Sequence, residues 1–228
     1  MSADLASILR QTALLREVPD EDLHALVAAS RLRQYRRGQV VFSRDDPSDT
    51  VIVVVSGRVK VVVRSADGGE LTLTIVPAGA VLGELSAADG GPRSTDAETL
   101  DDCHLLLIPS EAVQDVCARI PAASRALAAS VAATLRRLTD AAADLVFLDL
   151  PRRVAKILLS QPRDANGTIR LGLSQEELAH QVGSTRQSVN AALRGFEKRG
   201  WLELRDRAVT VRDAAALSRF AGIEVSVG

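Results

Sequence analysis

Between Val40 and Ile108 the chain passes through six short apolar stretches rich in β-branched residues: VVF, TVIVVV, RVKVVV, LTLTIV, AVLGEL and CHLLLI. The turn signals DDPSD, SG, ADGG, PAG and ADGGP separate them. Stretches of this length predict strands. Many short strands at regular spacing predict an antiparallel roll or barrel, which buries its edges by closing on itself. Such a roll has an interior. One segment inside this region breaks the pattern: GELSAADGGPRST, residues 83 to 95, joins an acid, a glycine-rich turn, an arginine and two hydroxyls. It has the make-up of a pocket.

On either side of the roll the period changes. Residues 3 to 33 predict helix, with Leu5, Ile8 and Leu9, then Leu23, Leu26 and Val27 at helical spacing around a VPDED turn. From Pro121 to Leu150, Leu127, Val131, Thr134, Leu138, Ala141, Leu145 and Leu148 recur at alternating steps of four and three, the seam of a two-helix coiled coil. A helix lying on its own roll needs a similar stripe, but a length of roughly four heptads favours a dimer seam. The helix must stop before Pro151, and Asp149 can cap the next one, which makes a hinge. The expected layout is α+β: a β-roll (jelly roll) domain over 1–120, a dimerisation helix and hinge over 121–150, and a further domain over 151–228.

In that last domain PRRVAKILLSQ predicts an amphipathic helix and GTIRLGL a short strand. Ser174 with Glu177 forms a capping box, and Leu178, Ala179 and Val182 give the helix it opens a buried face. Gly183 permits a tight turn, and Thr185 or Ser184 can cap a second helix with Val189, Leu193 and Phe196 on its apolar side. Two short helices around a glycine turn make a helix-turn-helix. Arg186, Gln187, Asn190, Ala191 and Arg194 project from the other side; arginine can pair with guanine, and Gln or Asn with adenine, in the major groove. An ordinary solvated face would look similar. However, GWLELRDRAVTVRD predicts two strands around Arg205-Asp206-Arg207, a basic wing able to touch phosphates. Charge agrees: residues 1–150 carry a net −6 and residues 151–228 a net +5. Together these features predict a winged helix-turn-helix that binds double-stranded DNA through Ser174, Thr185, Arg186, Gln187, Asn190, Arg194, Arg205 and Arg207.

A hydrophobic fraction of 46% with 25% charged residues describes a soluble globular protein. No run approaches the roughly 18 apolar residues of a membrane span, and the N-terminus lacks a signal-peptide layout, so no membrane partner and a cytoplasmic location are expected. Cys103 and Cys117 form no CxxC pair, and His24, His104 and His180 are scattered, so no metal is expected. The absence of GxSxG, HExxH and Walker-type loops argues against an enzyme.

With these residues in view, the chain from about Val18 to Leu217 resembles the CRP/FNR family of bacterial transcription regulators. The pattern GEL…R-S, the run FLDLPRRVAKILL and the winged helix-turn-helix carry the likeness. The spacing VNxAL-x-x-F-x-x-RGW in Val189 to Trp201 is similar to the actinobacterial cyclic-AMP receptor branch. The resemblance implies a homodimer whose β-roll binds a cyclic nucleotide, cyclic AMP first, and which acts on a two-fold operator with RNA polymerase as partner. A ligand-independent DNA-binding dimer with a vestigial pocket is the alternative. The family's phosphate-binding pattern falls on Gly83, Glu84 and Leu85, with Ser86 in the short helix that follows, and then on Arg93, Ser94 and Thr95. The chemistry suits each residue type. A cyclic phosphate inside a roll needs a fixed cation such as Arg93; Ser94 adds a donor, and Glu84 can accept from a ribose hydroxyl. A plain Glu84–Arg93 pair would be a costly way to close a loop.

The likeness has two departures. The family's adjacent Thr-Ser pair on the long helix, which contacts adenine, falls on Leu138 and Thr139. Either the register shifts by one, or the base is held differently, or the base is not adenine. On the second helix, Arg186, Gln187 and Ala191 stand where the receptor branch commonly has Arg, Glu and a basic residue, so the family's familiar operator is not implied. The iron–sulfur and haem branches are not implied either, because Cys103 and His104 are neighbours on a strand and point to opposite faces.

Overall fold

Valine and isoleucine at consecutive positions leave β3 (Thr50–Ser56) with two apolar faces, so it must be covered on both sides. The computed structural model, which describes residues 2–161, 168–170, 174–205 and 208–222, does this with two cores. Val51 and Val53 face a cluster built with helices, whereas Ile52 and Val54 face the interior of a β-roll. The roll consists of two four-stranded sheets. One has the order β1 (Arg31–Tyr35), β8 (Cys103–Pro109), β3, β6 (Val81–Leu82); the other has β2 (Val40–Phe42), β7 (Asp96–Thr99), β4 (Arg58–Arg64), β5 (Glu70–Pro77). Ala97, Leu105, Cys103 and Val59 fill the space between the sheets, and Cys103 and half-buried Cys117 have thiol pKa values raised by burial.

Helices α1 (Ser2–Gln11), α2 (Asp20–Ala29) and α4 (Ser110–Arg119) cover the outer face of the first sheet through Leu9, Leu23, Leu26, Val113 and Val116. The short α3 (Glu84–Asp89) follows β6. Contacts divide the chain into two compact units: residues up to Gly68 with Leu73–Leu138, and Gly69–Thr72 with the residues from Thr139 onward. The long helix α5 (Pro121–Phe147) starts in the first unit, where Ala123 is buried and Ala126 and Leu127 pack on the core.

Three local readings need correction. The predicted helix over 3–33 ends at Ala29, because Ser30 turns extended and its hydroxyl donates to the Val27 carbonyl at 2.8 Å. Residues 31–35 then form β1, paired from Arg31 opposite Leu107 to Tyr35 opposite Cys103; the alternation RLRQY has no helical stripe to hold it. AVLGEL yields only the two-residue β6, since Gly83 at φ +84° turns the chain into α3. Strand β7 and helix α4 had no expectation at all. Four residues of β7 carry too short an alternation to read, although Ala97 and Thr99 point inward as a strand requires.

In the second unit α6 (Leu150–Ser160) begins as predicted: Asp149 accepts from the Arg152 amide at 3.0 Å, with Pro151 in the first turn. Helices α7 (Gln175–Gln181), α8 (Arg186–Lys198) and α9 (Ala214–Ala221) pack with α6 around Val154, Leu158, Leu178, Leu193 and Phe196. A three-stranded sheet, β10 (Leu202–Arg205), β11 (Ala208–Val211) and β9 (Thr168–Arg170), flanks them. Fully buried Phe196 stacks on Trp201 at 5.9 Å and meets Phe220 edge-on at 5.6 Å. Trp201 is the sole tryptophan, so its emission reports on this unit. Phe196→Ala should cost the unit about 3–5 kcal/mol, seen as an earlier midpoint of Trp201 fluorescence in a urea titration.

Candidate functional site

Arg93 is set into the wall of the roll by its own backbone: its amide donates to the Asp46 carbonyl at 3.0 Å, and its carbonyl accepts from the Asp45 amide at 2.9 Å. The side chain is 3% exposed. Its Nη2 donates to the Thr50 carbonyl at 2.6 Å and to Thr50 Oγ1 at 3.1 Å, and the guanidinium lies 4.3 Å from the centre of the Phe42 ring. Nη1 closes over Gly83, where an added Cβ would stand 2.2 Å away, so the residue there must be glycine on two counts, space and φ. Nε and Nη1 are buried with no hydrogen-bond partner. Burial pulls the pKa below the ordinary guanidinium value, with Asp49 and Asp46 partly offsetting it. A cation that is desolvated and left with two unmatched donors is expensive in a protein whose only business is to fold.

The donors belong to the lining of a cavity of about 380 Å³, in the range that holds a small organic ligand. Val61, Leu73, Ile75, Val76 and Leu82 supply apolar walls, and Gly83, Glu84, Leu85, Ser94 and Thr95 complete the side nearest Arg93. Ser86 sits on α3, and its side chain lies outside the described residues. Glu84 makes no ion pair with Arg93 among the described residues; it accepts from Ser130 Oγ on α5 at 3.2 Å. Helix α5 closes the cavity with Thr134, Arg137 and Leu138, and Arg137 Nη2 donates to Thr134 Oγ1 at 2.9 Å. Thr139 is not among the lining residues. The arrangement can neutralise one anionic group, accept from hydroxyls and enclose an apolar ring.

Sequence reasoning missed Phe42, Thr50, Ser130 and Arg137. The first two lie more than forty positions from Arg93 and reach it only through strand pairing. Ser130, Thr134, Arg137 and Leu138 share one helix face at steps of four, three and one, a pattern masked because Thr134 and Leu138 also fit the heptad seam.

The second unit carries the other candidate surface. Both halves of the Ser174–Glu177 capping box form, and Thr185 Oγ1 accepts from the Ser188 amide at 3.2 Å, so the hydroxyls of Ser174 and Thr185 serve first as caps. They hold α8 with Val189, Ala192, Leu193 and Phe196 inward. Arg186, Gln187, Ala191 and Arg194 are exposed and Asn190 half-exposed on the opposite side. None of the four polar side chains has a hydrogen-bond or ion-pair partner among the described residues. At the wing, Arg205 and Arg212 both bind Glu203, whose pKa is lowered by Arg212 first and Arg205 second. Arg207 lies outside the described residues.

The model of the cyclic nucleotide-binding domain matches residues 32–120, and that of the Crp-like helix-turn-helix domain matches residues 152–220. Over 220 residues the chain is 35% identical to the CRP-like cAMP-activated global transcriptional regulator of Mycobacterium tuberculosis, covering 94% of this chain and 98% of that protein. The chain belongs to the CRP/FNR family. It is also 29% identical to the cyclic AMP receptor protein of Thermus thermophilus, over 93% of this chain and 98% of that one. Among solved structures, the c-di-GMP-responsive regulator CLP of Xanthomonas campestris superposes with a TM-score of 0.74 at 25% identity, covering 85% and 99%. This CRP/FNR member is thus a DNA-binding transcription regulator with a cyclic-nucleotide-binding β-roll of α+β fold. Among the described residues no helix is long and apolar enough to cross a membrane, and no group of three or more His, Cys, Asp or Glu is placed to hold a metal.

If the unmatched donors of Arg93 serve a ligand and not the fold, removing the charge should leave the free protein no weaker. Arg93→Met is expected to hold or raise the thermal midpoint, because an apolar chain of similar length replaces a desolvated cation. A loss of several degrees would assign Arg93 to structure.

Proposed function

We propose that the cavity beside Arg93 binds a cyclic nucleotide and that its occupancy controls DNA binding by a homodimer. The buried, half-satisfied guanidinium facing an apolar cavity carries this reading. Nε and Nη1 would donate to the equatorial oxygens of the cyclic phosphate, with Ser94, Thr95 and the Gly83–Leu85 backbone beside them. Ser86 belongs to the same segment. Glu84 would exchange its Ser130 partner for a ribose hydroxyl, which couples ligand entry to α5. The family resemblance assigns Leu138 and Thr139 to the base; Leu138 lines the cavity and offers contact but no hydrogen bond, whereas Thr139 is not among the lining residues. The relatives' names and the family resemblance put cyclic AMP first among effectors to test, although Arg93 and Glu84 see only phosphate and sugar.

Dimerisation is supported by the apolar surface that α5 presents once it leaves its own core: Leu135 is 65% exposed and Phe147 78%, with Leu138, Leu145 and Val146 between them. A second copy of the helix would cover that surface beyond Leu127, which packs on its own core, with Leu138 and Leu145 in the heptad seam and Leu135, Val146 and Phe147 beside it. Such a dimer suits a two-fold operator, with the two α8 helices one DNA turn apart, roughly 34 Å. Arg186, Gln187, Asn190 and Arg194 would read base edges, and the capped turns at Ser174 and Thr185 would sit against phosphates. Arg205 would reach a phosphate only by leaving Glu203; Arg207 is the second basic residue proposed for a phosphate. The reading carries no catalytic step and no metal. It places the protein in the cytoplasm, with RNA polymerase as partner, and divides the chain at about residues 120 and 150.

Calorimetry on the full chain tests the cavity. Cyclic AMP or cyclic GMP should release heat with the native protein and none with Arg93→Met. No heat from either nucleotide, alongside intact DNA binding, would leave a ligand-independent DNA-binding dimer. For the other surface, Arg186→Ala should weaken the specific site by about 1–3 kcal/mol and random DNA far less. Equal losses on both DNAs would make Arg186 a phosphate contact.

A further inference from the structure

The helix face that closes the cavity is richer in donors than in acceptors. Adenine presents one acceptor, N7, beside one donor, the N6 amino group, whereas guanine presents two acceptors, N7 and O6, on the same edge. The helix face that closes the cavity offers Thr134, Arg137 and Leu138. Leu138 has no polar atom. Arg137 is a donor only, and beyond its 2.9 Å bond to Thr134 Oγ1 its guanidinium has no other hydrogen-bond or ion-pair partner among the described residues. Acceptors on this helix face reduce to Thr134 Oγ1, which already takes one hydrogen bond from Arg137. Glu84, the sole acid among the lining residues, lies at the sugar end, bonded to Ser130.

Resting on the reading that the cavity takes a cyclic nucleotide, we propose that Arg137, oriented by Thr134, reads the base and that the cavity prefers a purine with paired acceptors, guanine or hypoxanthine, over adenine. The guanidinium fork matches N7 and O6 with two parallel N–H donors, while Leu138 packs against a ring face. Adenine in the same place would turn its amino group toward a second donor and leave both unmatched, which is where the discrimination arises. A second cation at the base end adds no specificity for the phosphate, because Arg93 already holds the buried position.

Titration calorimetry on the full chain with cyclic GMP, cyclic IMP and cyclic AMP tests the proposal. Cyclic IMP has the same N7 and O6 as cyclic GMP without the 2-amino group. The two should bind within about threefold of each other and roughly tenfold or more tighter than cyclic AMP, in line with the worth of a paired contact. Arg137→Lys keeps the charge but loses the fork and should bring the ratio of cyclic GMP to cyclic AMP affinity close to one. Arg137→Gln, with one donor and one acceptor, should turn the preference toward cyclic AMP. Tighter binding of cyclic AMP to the native protein overturns the proposal, as does a guanine preference that both variants retain. Cyclic IMP behaving like cyclic AMP also overturns it, by making the 2-amino group the feature read. If none of the three nucleotides binds, the nucleotide reading of the cavity fails instead, a result distinct from a reversed preference.

Discussion

One unsatisfied charge organises the first unit. Arg93 is anchored at its backbone by Asp45 and Asp46, at one nitrogen by Thr50 and across its face by Phe42, so that Nε and Nη1 alone are left without partners. The surrounding features follow from holding it there. Gly83 must lack a side chain so that the guanidinium can close over the backbone, and the turn at Gly83 ends β6 and starts α3. A buried cation whose desolvation Asp49 and Asp46 only partly offset costs stability, and the two apolar cores on either face of β3 are what can bear that cost.

Helix α5 is the element through which that charge could be felt elsewhere. Ser130 bonds Glu84, Thr134 and Arg137 meet each other, and Leu138 lines the same cavity. Each of these sits on a single face of a helix of 27 residues, about 40 Å long. Under the proposed function, a helical rod with one end packed on the roll and apolar residues exposed further along would carry a small displacement at the cavity to a second copy covering them. For that to act as a switch, the ligand must bind one arrangement of the rod more tightly than another.

Local chemistry was the part of this molecule most readable in its sequence. Gly83, Glu84, Arg93 and Ser94 lie within twelve positions, the Ser174–Glu177 box and the Thr185 cap within four, and the structure gathers each group as its spacing suggests. What was not readable depends on partners distant in the chain. Strand β1 is decided by the edge of β8, about seventy residues away, and Phe42 and Thr50 join Arg93 only once the roll has closed. Arg137 was hidden for a different reason. Two periodic patterns, one facing the cavity and one a heptad seam, overlap on the same helix at Thr134 and Leu138, and a single sequence displays their sum.

In the second unit the division of labour on α8 has a consequence for how such proteins diverge. Val189, Leu193 and Phe196 are committed to the core, whereas Arg186, Gln187, Asn190 and Arg194 make no hydrogen bond or ion pair to the described residues. Exchanging the outer set therefore carries little folding penalty, while exchanging the inner set carries a large one. The outward alphabet of the helix can drift from one descendant to the next on an unchanged scaffold. A lineage can thus acquire new target sequences faster than it can acquire a new fold.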